Sequence, residues 1–230
     1  MSTSPIENLT EHHRVAYYGG SFDPPHRGHI AIADALVDQF GLNSFVFIPA
    51  FHAPHKARLK PTSAYDRYTM LCLATQSAVK MRVSRMEIEM PERPYSVETL
   101  TRILTVRPDD DIYFVIGADS WQDILTWREW EKVLTMVNII VVTRPGVEIG
   151  FDHVTAEVRK RIVDMRAGAN SDRNEQTAPG IESLIFITDA VNMDVSATDI
   201  RRKIREDVPS WRDEVKAEVA NYIEKYQIYS

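Results

Sequence analysis

The 230-residue chain is 44% hydrophobic and carries 27 basic against 33 acidic side chains, a net charge of −6 with the histidines neutral. That length and apolar content suit one domain with its own core, and the acidic balance argues against general nucleic-acid binding, whose phosphate contacts call for a basic surface. No apolar run reaches the ~18 residues needed to span a membrane, the first fourteen residues, MSTSPIENLTEHHR, lack a secretory core, and the one cysteine, Cys72, allows neither an intrachain disulfide nor a cysteine zinc site, so the expected location is the cytoplasm.

In chain order, Val15 to Tyr18 reads as a first strand and Ile30, Ala33, Val37 and Phe40 as one face of a helix that stops at Gly41, a C-terminal cap. Phe45 to Ile48 is a second strand, and a helix starting at Ser63 has Asp66 three residues on and an apolar face of Met70, Leu71, Leu73 and Ala74. Val83 to Met90 reads as a strand, followed by a helix from near Ser96 through Leu100, Ile103 and Leu104 that ends before Pro108. Ile112 to Ile116, Ile139 to Val142 and Leu184 to Ile187 are further short strands. Between them the segment near 150–182 loses periodicity and, with AGANSDRNEQTAPG at 167–180, reads as a mobile surface loop. Trp211, Val215, Val219, Tyr222, Ile223 and Tyr226 recur at helical spacing, so 196–230 reads as a C-terminal helical part. Strands alternating with helices predict an α/β domain over 1–230, with a mainly parallel sheet covered on both faces, its core at 14–195.

The first strand-to-helix turn is GGSFDPPHRGH, residues 19–29. Ligands of open α/β sheets bind beyond the carboxyl ends of strands, where helix N-termini favour anions. Gly19 and Gly20 allow close approach or positive φ, Pro24 and Pro25 stiffen the turn, and His26 and His29, three apart, can both donate to one phosphate. An ordinary turn with two solvated histidines is the bland alternative. A four-histidine zinc site with His52 and His55 is disfavoured, because no carboxylate or cysteine stands at ligand spacing.

The turn resembles the G-x-F-D-P-x-H-x-G-H signature of the nucleotidyltransferase superfamily, with Gly20, Phe22, Asp23, Pro24, His26, Gly28 and His29 at every fixed position. VSATDIR at 195–201 is similar to the second superfamily motif, I-S-x-T-x-I-R. APHK at 53–56, PYSVETL at 94–100, FVIGADSWQDILTWREWEKVL at 114–134 and TRPG at 143–146 resemble, in the same order, the bacterial nicotinate-nucleotide adenylyltransferases. The resemblance covers most of 14–230 except the loop near 150–182. Relatives often carry tyrosine where Arg128 stands, threonine where Ser96 stands and asparagine where Ala50 stands.

The resemblance implies a Rossmann-like nucleotidyltransferase fold. It further implies adenylyl transfer from ATP to nicotinate mononucleotide, giving deamido-NAD and pyrophosphate in NAD biosynthesis. Nicotinamide mononucleotide and pantetheine phosphate are the alternative acceptors within the same chemistry. A catalytically weak nucleotide-binding module would be expected to lose a paired histidine or the distal arginine, and this chain keeps His26, His29 and Arg201. An RNA-binding module related through HxGH lacks a basic stripe. His26, His29, Lys56 and Arg201 become the expected catalytic residues. ATP would be met by Gly19, Gly20, Ser21, Phe22, Gly117, Asp119, Ser196, Ala197 and Thr198 together with His26, His29 and Arg201. The acceptor would be met by Lys56, Tyr95, Ser96, Asp119, Trp127 and Arg128, with Trp127 offering the pyridine an aromatic face. The alternative for Trp121, Trp127 and Trp130 is a shared buried helix face, which their spacing allows for part of the set. Mg²⁺ is expected with ATP, held by phosphates and water and by no protein cage. Partners would be the two nucleotides, with no nucleic acid or membrane; a homo-oligomer is compatible with the sequence and not specified by it.

Overall fold

A computed structural model describes residues 12–51, 62–143, 149–167, 183–191 and 193–229. Its centre is a seven-stranded parallel sheet ordered β3-β2-β1-β4-β5-β7-β6. The strands are β1 (Arg14–Gly20), β2 (Ser44–Pro49), β3 (Met81–Val83), β4 (Asp111–Gly117), β5 (Asn138–Val142), β6 (Ile162–Asp164) and β7 (Ile185–Thr188).

Period-two alternation divides the strand side chains between two cores. Ala16, Tyr18, Phe45, Phe47, Val115 and Ile140 face α1 (Arg27–Gln39), α2 (Ala64–Thr75) and, later in the chain, α7 (Ala197–Arg205) and α8 (Ala217–Lys225). Val15, Tyr17, Ile112, Phe114, Ile139 and Val141 face α3 (Ser96–Val106), α4 (Ala118–Gln122), α5 (Trp130–Met136) and α6 (Ala156–Arg159). Burial on both faces explains the near-continuous apolar runs of β4 and β5.

The helix boundaries follow local chemistry. The Ser63 hydroxyl accepts from the Asp66 N–H at 3.0 Å, capping α2. Helix α1 stops where Gly41 takes φ +57°, as read from the sequence.

Three elements depart from the sequence reading. The strand expected at 83–90 ends at Val83. Glu89 N–H then bonds Arg85 C=O at 3.0 Å, and Met90 N–H bonds Glu87 C=O at 3.2 Å, so the chain turns. Pro91 and Pro94 lack the N–H groups a longer edge strand would use. Within the segment near 150–182 read as a loop, 156–159 forms α6 and 162–164 forms β6, paired with β7 from Ile162–Ile185 to Asp164–Ile187. Three residues are too few to give a periodic signal. The C-terminal stretch is not one helix: a 3₁₀ turn over Pro209–Glu214 precedes α8, and Trp211 and Val215 are buried under it.

Candidate active site

The site forms where strand order reverses. β1 lies between β2, reached through α1, and β4, so the crevice beyond the carboxyl ends of β1 and β4 is the topological switch point of the sheet.

The β1–α1 turn is shaped by ring packing. A Cβ at Gly20 would stand 2.9 Å from Phe22 Cζ, so glycine is required by that ring. The positive φ expected at the glycines belongs instead to Phe22, at +48°. Phe22 is buried, and its ring meets His29 edge-on with centroids 4.9 Å apart, while Tyr18 meets the same imidazole at 6.1 Å. His26 occupies the N-cap of α1 and its ring stacks on His29, centroids 3.6 Å apart. A Cβ at Gly28 would stand 3.1 Å from His26 Nδ1, which explains the glycine between the two histidines.

Both imidazoles are more than nine-tenths buried. The backbone N–H of His26 donates to His29 Nδ1 at 3.1 Å. A neutral His29 with Nδ1 as acceptor carries its proton on Nε2, which becomes the ring's donor.

The second wall is α7. Val195, beside its start, lies 3.9 Å from the place a Gly28 Cβ would take, so the N-termini of α1 and α7 stand side by side. Ser196 is the N-cap, with φ −126° and no side-chain cap bond; Ala197 and Thr198 begin the helix, with Thr198 exposed. Arg201, 8% exposed, turns back into the first turn: its Nη1 donates to the Asp23 carbonyl and lies 3.9 Å from Asp23 Oδ2, and its Nη2 donates to Thr198 Oγ1 at 3.0 Å. Asp23 also accepts from the Tyr229 hydroxyl at 2.6 Å. Burial, and then the Asp23 charge, push the Tyr229 phenol far above its ordinary value.

Across the crevice, Gly117 ends β4 and caps α4, with Asp119 exposed in the first turn. Trp127 is half-buried on the turn after a 3₁₀ segment, edge-on to Phe114 with centroids 6.4 Å apart. Phe114 in turn lies 3.7 Å from where a Gly19 Cβ would be, so Trp127 and the end of β1 share one neighbour. Trp121 is fully buried and donates to the Gly150 carbonyl at 3.0 Å. Trp130 opens α5, so the three tryptophans do not form one helix face.

Two segments expected to receive the acceptor meet in space. The Arg128 guanidinium lies 4.8 Å over the Tyr95 ring and 3.5 Å from Glu98 Oε1, and Glu98 Oε2 accepts from the Tyr95 N–H at 2.9 Å. Glu129 lies 4.0 Å from Arg128 as well, so two carboxylates engage the Arg128 charge. Ser96, half-buried, starts α3 beside them. Lys56, with the APHK stretch, lies outside the described residues.

Sequence reading missed two residues. Arg67, 1% exposed on α2, donates to the carbonyl of Ser21 at 2.6 Å and to those of Ala50 and Phe51, tying the loops after β1 and β2 together. Its signal was a charge on a buried stripe, because Arg67, Met70, Leu71 and Ala74 follow helical spacing. Tyr229 gave no signal: it is the penultimate residue of the sequence, outside every motif.

Comparison with known proteins supplies the remaining information. Residues 17–203 match the family described as Cytidylyltransferase-like. A Corynebacterium jeikeium protein named "Probable nicotinate-nucleotide adenylyltransferase" is 33% identical over 211 residues, covering 92% of this chain and 98% of the relative. A Desulfitobacterium hafniense protein of the same name is 32% identical over 94% of this chain and 95% of its own. Among solved structures, Plasmodium falciparum nicotinic acid mononucleotide adenylyltransferase complexed with NaAD superposes with a TM-score of 0.67 at 18% identity, over 95% of this chain and 98% of that one. At that identity the likeness carries the fold.

Proposed function

The chain belongs to the Cytidylyltransferase-like family and, within it, to the nicotinate-nucleotide adenylyltransferases, and from that membership we propose how the residues at its switch point carry out the reaction. The protein transfers the adenylyl group of ATP to nicotinate mononucleotide, giving deamido-NAD and pyrophosphate, a step of NAD biosynthesis. A 5′-phosphate oxygen of the acceptor bonds the α-phosphorus of ATP. The bond from that phosphorus to the β-bridging oxygen breaks, and pyrophosphate leaves with the electron pair. The attacking group is already an anion, so catalysis consists of alignment and charge stabilisation.

The observation that carries the assignment is the convergence of the α1 and α7 N-termini with buried His26, His29 and Arg201 at the end of β1. The Nε2–H of His29 and the His26 ring donate to oxygens of the transferring phosphate. Gly19, Gly20, Ser21 and Phe22 shape the triphosphate's seat, and Gly117 and Asp119 border the nucleoside side of the crevice. Ser196 and the N–H groups of Ala197 and Thr198 meet the β- and γ-phosphates through the positive end of α7. Arg201, held by Asp23 and Thr198, adds a fixed cation there. Lys56 is assigned to the acceptor phosphate.

ATP enters as its complex with a divalent cation, which we take to be Mg²⁺. Nitrogen donors predominate around His26, His29 and Arg201, and that set suits phosphate oxygens. A small hard cation is better served by the phosphates themselves and by water. On the acceptor side, Trp127 presents a ring face to the pyridine, and the N–H groups around Ser96 and Arg128 receive the nicotinate carboxylate, with Tyr95 beside them.

Pyrophosphate release, followed with nicotinate mononucleotide and with nicotinamide mononucleotide in parallel, tests the assignment. His29→Ala is expected to lower kcat by about 10²–10³-fold, the cost of losing one preorganised donor, with a smaller change in KM. Equal rates with the acid and the amide would remove the carboxylate role from the Ser96 and Arg128 segments while leaving the phosphate site in place.

A further inference from the structure

At the opposite, N-terminal edge of the sheet, a cavity of about 650 Å³ opens between α3 and strands β1 and β2. It exists because the chain turns at Ser84 instead of continuing β3, so the α3 side of β2 is only partly roofed. Val15, Val46 and Ile103 form apolar walls, and that volume falls within the ~300–1,000 Å³ typical of small-molecule sites.

The charged groups among the described lining residues of this cavity are of one sign. Arg82 and Arg102 border it, and none of the described residues lining it is a carboxylate. Arg82 Nη1 donates to the carbonyls of Val79 and Met81 at 2.6 and 2.8 Å, and Arg102 Nη1 contacts Met90 Sδ at 2.8 Å. Among the described residues neither cation has a carboxylate partner. Arg107, at the same rim, differs: Asp110 stands 3.2 Å from it. In a chain of net charge −6 two uncompensated arginines over one apolar hollow form a local positive site.

A second observation is independent of charge. Tyr17 lines the cavity at 8% exposure, and its hydroxyl has no hydrogen-bond partner among the described residues. A tyrosine hydroxyl both donates and accepts, so it can meet a ligand oxygen in the cavity.

We propose that this cavity is a second ligand site, for a small organic acid with an apolar body, whose anionic group meets Arg82 and Arg102 and whose body lies on Val15, Val46 and Ile103 beside the Tyr17 hydroxyl. The site is separate from the nucleotide crevice. Tyr17 precedes Gly20 by three residues, about 10 Å along β1 at ~3.3 Å per residue, and the inference does not depend on the roles assigned at the other edge.

The test uses the full chain and 8-anilinonaphthalene-1-sulfonate, an apolar anion whose emission rises in a dry site. N-phenyl-1-naphthylamine, which lacks the sulfonate, is the neutral control. Titration with saturating ATP and nicotinate mononucleotide present is expected to show one saturable site. Val46→Trp, which fills the cavity, and the pair Arg82→Gln with Arg102→Gln are each expected to weaken the anion at least about tenfold at unchanged kcat. The neutral dye should bind wild type more weakly by a similar factor. Tyr17→Phe should weaken the anion severalfold. Displacement of the dye by either nucleotide, equal affinity in all variants, equal binding of the neutral dye, or binding seen only after deletion of residues 1–11 would each overturn the proposal.

Discussion

At the scale of single residues, ring packing at the β1–α1 turn links glycine to the imidazoles. Phe22 Cζ is the far end of a side chain, yet the ring is only 3% exposed and lies between His29, Tyr18 and Phe47, at 4.9, 5.4 and 5.5 Å. It has no open direction in which to retreat from an added Cβ. Gly20→Ala is therefore expected to cost about 1–3 kcal/mol, the usual scale of overpacking, and to lower kcat more than it raises KM for ATP, because the displaced ring pushes His29. Urea unfolding and steady-state kinetics on one preparation check both parts; full kcat with lost stability would detach the ring from the imidazole. The motif made these residues legible because each fixed position has a steric or donor role. What the motif did not show is that Phe22, and not a glycine, takes the left-handed backbone.

At the scale of elements, α2 shows how the loops after β1 and β2 are held. Arg67 supplies a planar fork to carbonyls on both loops, flanked by the charges of Asp23 and Glu87, while burial lowers its own pKa. Arg67→Met removes the donor that the Ser21 and Ala50 carbonyls share, at about 1–3 kcal/mol each. Lysine, a point charge without the fork, is expected to recover only part. Loss of stability together with kcat/KM in Met, and partial return in Lys, is the pattern to seek in paired thermal melts and assays.

Glu87 gives the pH dependence of the same region. Burial pushes its carboxyl above the ordinary 4.5, outweighing the Thr99 hydrogen bond and the cations Arg93 and Arg67. A folded carboxyl that holds its proton more tightly than the unfolded one loses stability as pH rises from the ordinary value through the raised one. Glu87→Gln keeps an oxygen for Thr99, so it is expected to melt higher than wild type at neutral pH and to lose that slope. A buried arginine on a helix reads as a solvated charge unless its stripe is traced, and the strand expected at Val83 to Met90 is cut short at Val83 by a turn ahead of Pro91 and Pro94. These α2 and β3 details were the illegible part at this scale, whereas α1 and α3 followed from their helical periodicity and β4 and β5 from short apolar, β-branched runs.

At the scale of the whole molecule, alternation of strands and helices predicted a parallel sheet, but the order of the strands, and hence the switch point between β1 and β4, is set by packing that no local pattern records. The same holds for the last link of the site. Asp23 lies on the first turn, Arg201 lies 178 residues later, and Tyr229 lies 206 residues later, yet one carboxylate joins all three. With the Tyr229 hydroxyl on Oδ1 of Asp23, Arg201 shares that carboxylate's charge with a second donor. Take the hydroxyl away and Asp23 turns its full acceptor capacity to the guanidinium, drawing it from the phosphates it is assigned to meet. Tyr229→Phe is therefore expected to cost about 1 kcal/mol of stability, the net worth of one hydrogen bond, and to raise KM for ATP severalfold while KM for the acceptor stays near wild type. Truncation after Lys225 should give the larger change of the same kind. A variant with lower stability and unaltered KM for both substrates would reduce Tyr229 to packing; a rise confined to ATP would make Tyr229, 206 residues from Asp23 in sequence and hydrogen-bonded to it in the fold, a positioning residue for Arg201.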